Sequence, residues 1–325
     1  MATGIVSTTR LTHATPAVFA SHNESRNNEN EIAADFLDSG VEFFAGGGNR
    51  NFVPQNWEWG KSKREDDRNL LTEFSENGYE VFASADASED FRDYQPKAGD
   101  KVIATLSSSH LPYEVDRIQT NATPSLAELT EKGIELLSMY DNGFFMMVEA
   151  GRIDHACHAN DAAGSIHDTL AFDEAVTKAY EFYQKHPEET LIVIVGDHET
   201  GGMGLGFAKN YFLKLDEITD IKASVDDVLT KKYDGDREAY FNYIAETFGL
   251  DDLTEEEKAE ITKAIDIADS KEEYDLEVYG PSYYGPVAIA TTHIISERAN
   301  IQWTTYAHSA TSIPMSAVGK GAENF

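Results

Sequence analysis

Asp154 and His158 stand four residues apart, and Asp197 and His198 are adjacent. Both pairs follow short apolar runs. FFMMVE ends at Glu149 and leads into Gly151-Arg152-Ile153-Asp154-His155-Ala156-Cys157-His158. LIVIV leads into Gly196-Asp197-His198-Glu199-Thr200, and GIVSTT leads into His13-Ala14-Thr15-Pro16. Oxygen and imidazole donors without a thiolate suit Zn²⁺ at a catalytic site, or Mg²⁺ where oxygen dominates. A spacing of four lets Asp154 and His158 face one ion across a helical turn or tight loop. Adjacent Asp197 and His198 can reach one ion only from an irregular loop at a strand end. The two pairs could therefore serve two ions, and His308 is a fifth donor. Two ions about 4 Å apart clamp an in-line displacement at phosphorus, steadying both the attacking and the leaving oxygen. Arg26 adds a guanidinium fork that matches two phosphate oxygens. The chemistry in view is metal-dependent phosphoryl transfer.

Plainer readings apply to other residues of the same types. His110, His167, His186 and His293 read as surface or hydrogen-bonded histidines. Gly46-Gly47-Gly48 reads as a tight turn after a strand rather than a phosphate cradle. Cys157, the single cysteine, reads as a small polarizable filler.

These residues need a scaffold that brings strand ends together. Gly4–Thr9, Val41–Ala45, Tyr79–Ala83, Val102–Leu106, Phe144–Glu149 and Leu191–Val195 read as strands. The last is a continuous apolar run that suits a central parallel strand covered on both faces. A helix from about Pro16, Glu29–Leu37, Ser125–Tyr140 and Ala163–His186 read as helices. Strands alternating with helices predict an α/β fold, a three-layer sandwich around a mostly parallel sheet. Ligands in such sheets sit beyond the carboxyl ends of the strands. Residues 207–280 break the pattern. They are acidic and mostly helical, as in Asp236–Phe248 and Thr254–Ala268, and read as an insertion with a solvated helical face. Val287–Thr292 and the stretch around Trp303–His308 return to the core.

Composition narrows the function further. Among 325 residues, 58 are acidic and 26 basic, for a net charge of −32. That charge disfavours nucleic acid and anionic membrane surfaces as partners. It also repels phosphate esters, so the site must supply its own positive charge, as bound divalent cations do. There is no apolar run of the length a membrane span needs. Met1-Ala-Thr-Gly-Ile-Val reads as the start of a buried strand rather than a signal peptide.

The motifs together resemble those of alkaline phosphatases. Thr12-His13-Ala14-Thr15-Pro16-Ala17, Glu149 through Asp154-His155 to His158, Asp197-His198-Glu199-Thr200-Gly201-Gly202 and Tyr306-Ala307-His308-Ser309 carry the resemblance in the expected order. It implies one alkaline-phosphatase-like α/β domain over residues 1–325, with the insertion at about 207–280. It implies two Zn²⁺ and one Mg²⁺. Asp154, His158 and His308 match ligands of the first zinc, Asp197 and His198 ligands of the second, and Thr15 and Glu149 ligands of the magnesium. Arg26 matches the arginine that holds the substrate phosphate, while His13 and His155 match variable positions beside the metals. The implied activity is hydrolysis of small phosphate monoesters by an exported, often dimeric protein. Related phosphodiesterases and sulfatases, or a metal-binding remnant without catalysis, are the alternatives. The family's nucleophilic serine lies in an Asp-Ser-Ala/Gly motif ahead of the segments matched here, and one Asp ligand precedes it. Asp38-Ser39-Gly40 precedes a strand instead of opening a helix, so it does not match. The chain is accordingly expected to be an N-terminally incomplete member with little turnover of its own, and its end at Phe325 also reads as early.

Overall fold

The computed structural model describes residues 1–58, 60–206, 211–271 and 273–325. Residues 207–210 and 272, part of the expected insertion, lie outside the described residues. The chain divides into two compact units. One comprises Met1–Pro112, Thr120–Gly151 and Leu170–Ile192, and the other Tyr113–Gln119, Arg152–Thr169 and Val193–Phe325.

The first unit is built on five parallel strands, β1 (Ala2–Arg10), β2 (Phe43–Gly47), β3 (Tyr79–Ala83), β4 (Lys101–Thr105) and β5 (Phe144–Glu149). Their order is β3-β4-β2-β1-β5, with Ile5 opposite both Phe44 and Met147. Successive side chains on a strand point to opposite faces, and the two faces feed separate cores. Val6, Phe43, Ala45, Val102 and Ala104 pack with Leu126, Leu129, Leu136 and Leu137 of the helix Leu126–Leu137. Ile5, Phe44 and Ile103 pack on the other side with Ile32, Phe36, Leu70 and Phe74. This is the expected three-layer α/β arrangement. The helix Leu126–Leu137 starts at a capping box. Ser125 Oγ accepts from the Glu128 N–H at 3.2 Å, and Glu128 Oε2 accepts from the Ser125 N–H at 2.7 Å. It lies close on the sheet because two of its contacts are glycines. A Cβ at Gly4 would sit 2.6 Å from Leu137 Cδ1, and one at Gly133 2.8 Å from Met146 Sδ.

Leu191–Val195 departs from expectation. Leu191–Ile194 is a strand, but it is not part of the five-stranded sheet. It pairs with Ser316–Gly319 in a separate two-stranded sheet. Leu191 and Val195 are 43% and 60% exposed rather than covered. An apolar run records a preference for burial, but which strand it joins is decided by distant residues.

The second unit has a different construction. Its centre is the helix Pro286–Arg298, buried at Val287, Ile289, Thr291, Ile294 and Ile295. A helix apolar on all sides belongs inside a core. The expected return of Val287–Thr292 to the core is therefore met, in helical form. The acidic segment forms helices Asp216–Thr219, Arg237–Phe248, Glu255–Ser270 and Leu276–Tyr279, with no strand among the described residues. It is more than a solvated face. Tyr240, Ile244, Phe248, Ile261 and Ile265 share one apolar cluster with Val287, Ile289 and Ile295. Glu199–Thr200 pairs antiparallel with His308–Ser309, and Gly204–Leu205 with Ile301–Gln302. No helix among the described residues is long and apolar enough to cross a membrane.

Candidate metal and phosphate sites

Four of the donors singled out by spacing converge in the second unit. Asp154 and His158 lie on the helix Arg152–His158, one turn apart and on one face. His308 arrives on its two-residue strand, paired to Thr200. Asp154 Oδ1 lies 3.4 Å from His158 Nε2 and 3.6 Å from His308 Nε2, and the two Nε2 atoms are 3.2 Å apart. The His158 Nδ1–H donates to the Tyr306 carbonyl at 2.7 Å. That bond leaves Nε2 as the lone-pair nitrogen, directed at the other two donors. Fixing a ring through its far nitrogen is the usual way a protein orients a metal-binding histidine.

His198 joins the same group. Its ring stacks on His308 with centroids 3.5 Å apart. Asp154, His198 and His308 each offer a ligand atom within 4.8 Å of the others. Asp154 and His308 thus belong to two overlapping donor triplets, one completed by His158 and one by His198. Asp197 Oδ2 lies 3.2 Å from His198 Nε2, its Oδ1 accepts from the His198 N–H at 3.1 Å, and its side chain is largely exposed. Thr200, which the spacing argument passed over, ties the two pairs together. Its hydroxyl donates to Asp154 Oδ1 at 2.5 Å and lies 3.2 Å from His198 Nδ1. The signal was its place three residues after Asp197.

Close backbone contact brings these loops together. Gly201 adopts φ +85°, and its N–H donates to the Ala307 carbonyl at 2.9 Å. A Cβ there would lie 2.7 Å from the Trp303 ring and 2.8 Å from the Cys157 carbonyl. Only glycine fits both the backbone and the space.

Arg152 anchors the start of the ligand helix. It is 1% exposed, lies 3.6 Å over the Tyr113 ring and donates to Asp227 Oδ2 from the acidic segment. It also reaches His155 Nδ1 at 3.0 Å. Buried carboxylates crowd the same unit. Burial pushes Asp168 up to about 7, opposed by the Glu114 N–H and by Arg152. Burial likewise pushes Asp161 up to about 6, opposed by the N–H groups of Gly164 and Val225. Cys157 is pushed up to about 12 by burial, which suits an inert filler rather than a thiolate ligand.

The remaining candidates lie in the first unit. Glu149 ends β5, and its Oε2 accepts from Ser7 Oγ and, at 3.2 Å, from Thr9 Oγ1. Ser7 and Thr9 were not singled out from the sequence. Their spacing of two on one strand, at its carboxyl end, was the available signal. Thr15 lies on the short helix Ala14–Val18, which packs beside β5; Phe19 just past its end stacks on Phe145 at 6.0 Å. Arg26 is exposed, and its Nη2 lies 3.2 Å from His13 Nε2. Two of the plainer histidine readings fit their surroundings. His110 Nδ1 accepts from the Arg10 N–H at 3.2 Å. His293 lies 3.2 Å from Asn160 Oδ1, and burial pushes it down to about 4. Ser39 of the Asp-Ser-Gly tripeptide donates to the Phe36 carbonyl at 2.7 Å and sits before β2, at the opposite end of the sheet from Glu149.

The family model described as alkaline phosphatase matches residues 1–325. Alkaline phosphatase 3 of Bacillus subtilis is 32% identical over 330 residues, covering 100% of this chain and 64% of that protein. The crystal structure of Thermus thermophilus alkaline phosphatase superposes with a TM-score of 0.83 at 29% identity, covering 99% of this chain and 66% of the other. An alkaline phosphatase variant from the Antarctic bacterium TAB5, solved with Mg bound in its M3 site, gives 0.61 at 26% identity, covering 100% and 67%. The chain spans just under two thirds of the length of the curated Bacillus relatives it matches.

Proposed function

The chain belongs to the alkaline phosphatase family, and on that premise we propose that the protein it represents hydrolyses phosphate monoesters with two Zn²⁺ and one Mg²⁺. The observation that carries the reading is the set of separations among Asp154 Oδ1, His158 Nε2 and His308 Nε2, 3.2, 3.4 and 3.6 Å. Donors about 2.0–2.1 Å from a tetrahedral zinc stand about 3.3 Å from one another. Three donor atoms at that spacing fit one ion.

His198 and Asp197 would hold the second zinc, and Glu149 and Thr15 would hold the magnesium. When bound, these ions supply Lewis acidity, offsetting charge on a leaving alkoxide and acidifying a water. The chain's own groups do the rest. Arg26 presents its guanidinium to two phosphate oxygens and holds the ester in place. Thr200 keeps Asp154 turned toward the histidines by donating to Oδ1. The Tyr306 carbonyl holds the His158 proton on Nδ1. Ser39 precedes β2, at the end of the sheet opposite Glu149, and is not assigned as the attacking group.

The test is turnover of matched aryl monoester, diester and sulfate substrates by the zinc-loaded protein, with and without a chelator. Chelator-sensitive preference for the monoester is expected, with Arg26→Ala raising KM more than it lowers kcat. A preference for the diester or the sulfate, or turnover indifferent to the chelator, would overturn the assignment.

A further inference from the structure

Asn160 follows the ligand helix by two residues, is 2% exposed and adopts φ +51°. Asparagine tolerates this left-handed conformation better than most residues. Every polar atom of its side chain is used. Nδ2 donates to the Cys157 carbonyl and to the Thr305 carbonyl, each at 3.0 Å. Oδ1 accepts from His293 Nε2 at 3.2 Å. That histidine contact orients the amide, since the oxygen must face the imidazole N–H and the nitrogen the two carbonyls.

The two carbonyls belong to two different ligand-bearing segments. Cys157 is in the last turn of the helix that carries Asp154 and His158, and its carbonyl accepts from the Asn160 N–H at 3.1 Å as well as from Nδ2. Thr305 is in the loop that leads to His308. The adjacent Tyr306 accepts from His158 Nδ1, and its hydroxyl lies 3.3 Å from the same His293 nitrogen. A third tie runs from the Asn160 backbone. Its carbonyl accepts from Thr292 Oγ1 of the buried helix Pro286–Arg298 at 2.9 Å. One residue thus joins the end of the ligand helix, the His308 loop and the core of the unit.

We propose that Asn160 is a positioning residue for the Asp154–His158–His308 triplet, its amide setting the distance between the helix that supplies two donors and the loop that supplies the third. The inference rests on the zinc reading of that triplet. It deepens that reading by naming the group that joins the two segments. His293 acts behind Asn160 by fixing the amide's orientation. Neither residue touches the ion.

The test is zinc affinity, measured by competition against a chromogenic chelator on the purified 1–325 chain, beside thermal unfolding in chelator. Asn160→Asp keeps the left-handed backbone and the acceptor but loses both donors. Asn160→Gly keeps the backbone and loses the whole side chain. Both should weaken zinc about 10–100-fold, the range for removing an outer hydrogen-bond partner of a metal site. Thr292→Val removes the tie to the core but neither tie to the ligand segments, so it should lower the melting temperature and leave zinc affinity within about twofold of wild type. Wild-type affinity from Asn160→Asp and Asn160→Gly, with His308→Ala still strongly weakened, would overturn the positioning role and leave the triplet standing. Equal affinity in wild type and His308→Ala would instead remove the zinc reading on which the role depends.

Discussion

The first unit organises itself around five parallel strands, irregular only where β1 shifts register against β2 between Val6 and Arg10, whereas the second holds its donors on a seven-residue helix, two-residue strands and glycine turns. The difference follows from what each must do. A parallel sheet gains from continuous apolar faces, and Phe43, Phe44, Val102 and Ile103 are 0% exposed. On the proposed reading, metal donors must point at one spot from several directions, which regular strands cannot achieve with adjacent residues such as Asp197 and His198. Irregular backbone is then required. It is held by specific side-chain bonds, from Thr200 and Asn160, and by glycines where nothing larger fits.

If that division is right, damage to the sheet should cost stability, and damage to the donors should cost metal. Phe44→Ala is the largest expected effect. Phe44 stacks on Phe36 at 4.9 Å and meets Phe74 edge-on at 6.2 Å. Its loss should destabilise by about 3–5 kcal/mol in denaturant unfolding. Zinc affinity of the protein that stays folded should change little, and a parallel loss of zinc binding would break the comparison.

His308→Ala comes next. It removes a donor shared by both triplets, so zinc affinity should fall by more than about 100-fold, or about 2.8 kcal/mol. The residue is exposed, so unfolding in chelator should be nearly unchanged. A large stability loss in chelator would show that the ring is there for packing.

Asp168→Asn tests the buried charge of the second unit through pH. Burial raises the Asp168 carboxyl to about 7 in the folded state, so the native protein binds its proton more tightly than the unfolded chain does. The group's contribution to stability is therefore present below the unfolded value of about 4 and is lost as pH rises toward 7. Asparagine keeps an acceptor for the Glu114 N–H at this position and removes the charge. The variant should be more stable than wild type at pH 8, on the order of 1–2 kcal/mol, and should gain much less at pH 4. A gain that does not depend on pH would contradict the assignment of the slope to this carboxyl.

Ser125→Ala is the smallest. It removes a capping box from a helix of the first unit and should cost about 1 kcal/mol with no effect on zinc. Wild-type stability for this variant would mean that the helix start is held by packing alone.

Legibility in the sequence followed the same division. β1 to β5 could be read to within about two residues, because short apolar runs punctuated by turns are a local signal. Leu191–Val195 has the same signal and a different fate, because its partner, Ser316–Gly319, is more than a hundred residues away and carries no matching apolar run. The grouping of Asp154, His158, His198 and His308 was legible from residue type and spacing, since few other patterns bring Asp and His together after strands, whereas Asp197 stays largely exposed at its margin. Their neighbours were not. Ser7, Thr9, Thr200 and the Tyr306 carbonyl are ordinary residues whose value arises only from where folding puts them. The acidic segment was legible as helical from its periodicity. Its role in the core, and the reach of Asp227 to Arg152, depended on contacts that no local window contains.

The most direct test is anomalous diffraction at the zinc edge from crystals grown with zinc. The account predicts a peak about 2.0–2.2 Å from Asp154 Oδ1, His158 Nε2 and His308 Nε2 together. A zinc peak that touches fewer than two of those three atoms, or zinc bound only elsewhere on the acidic surface, would contradict it.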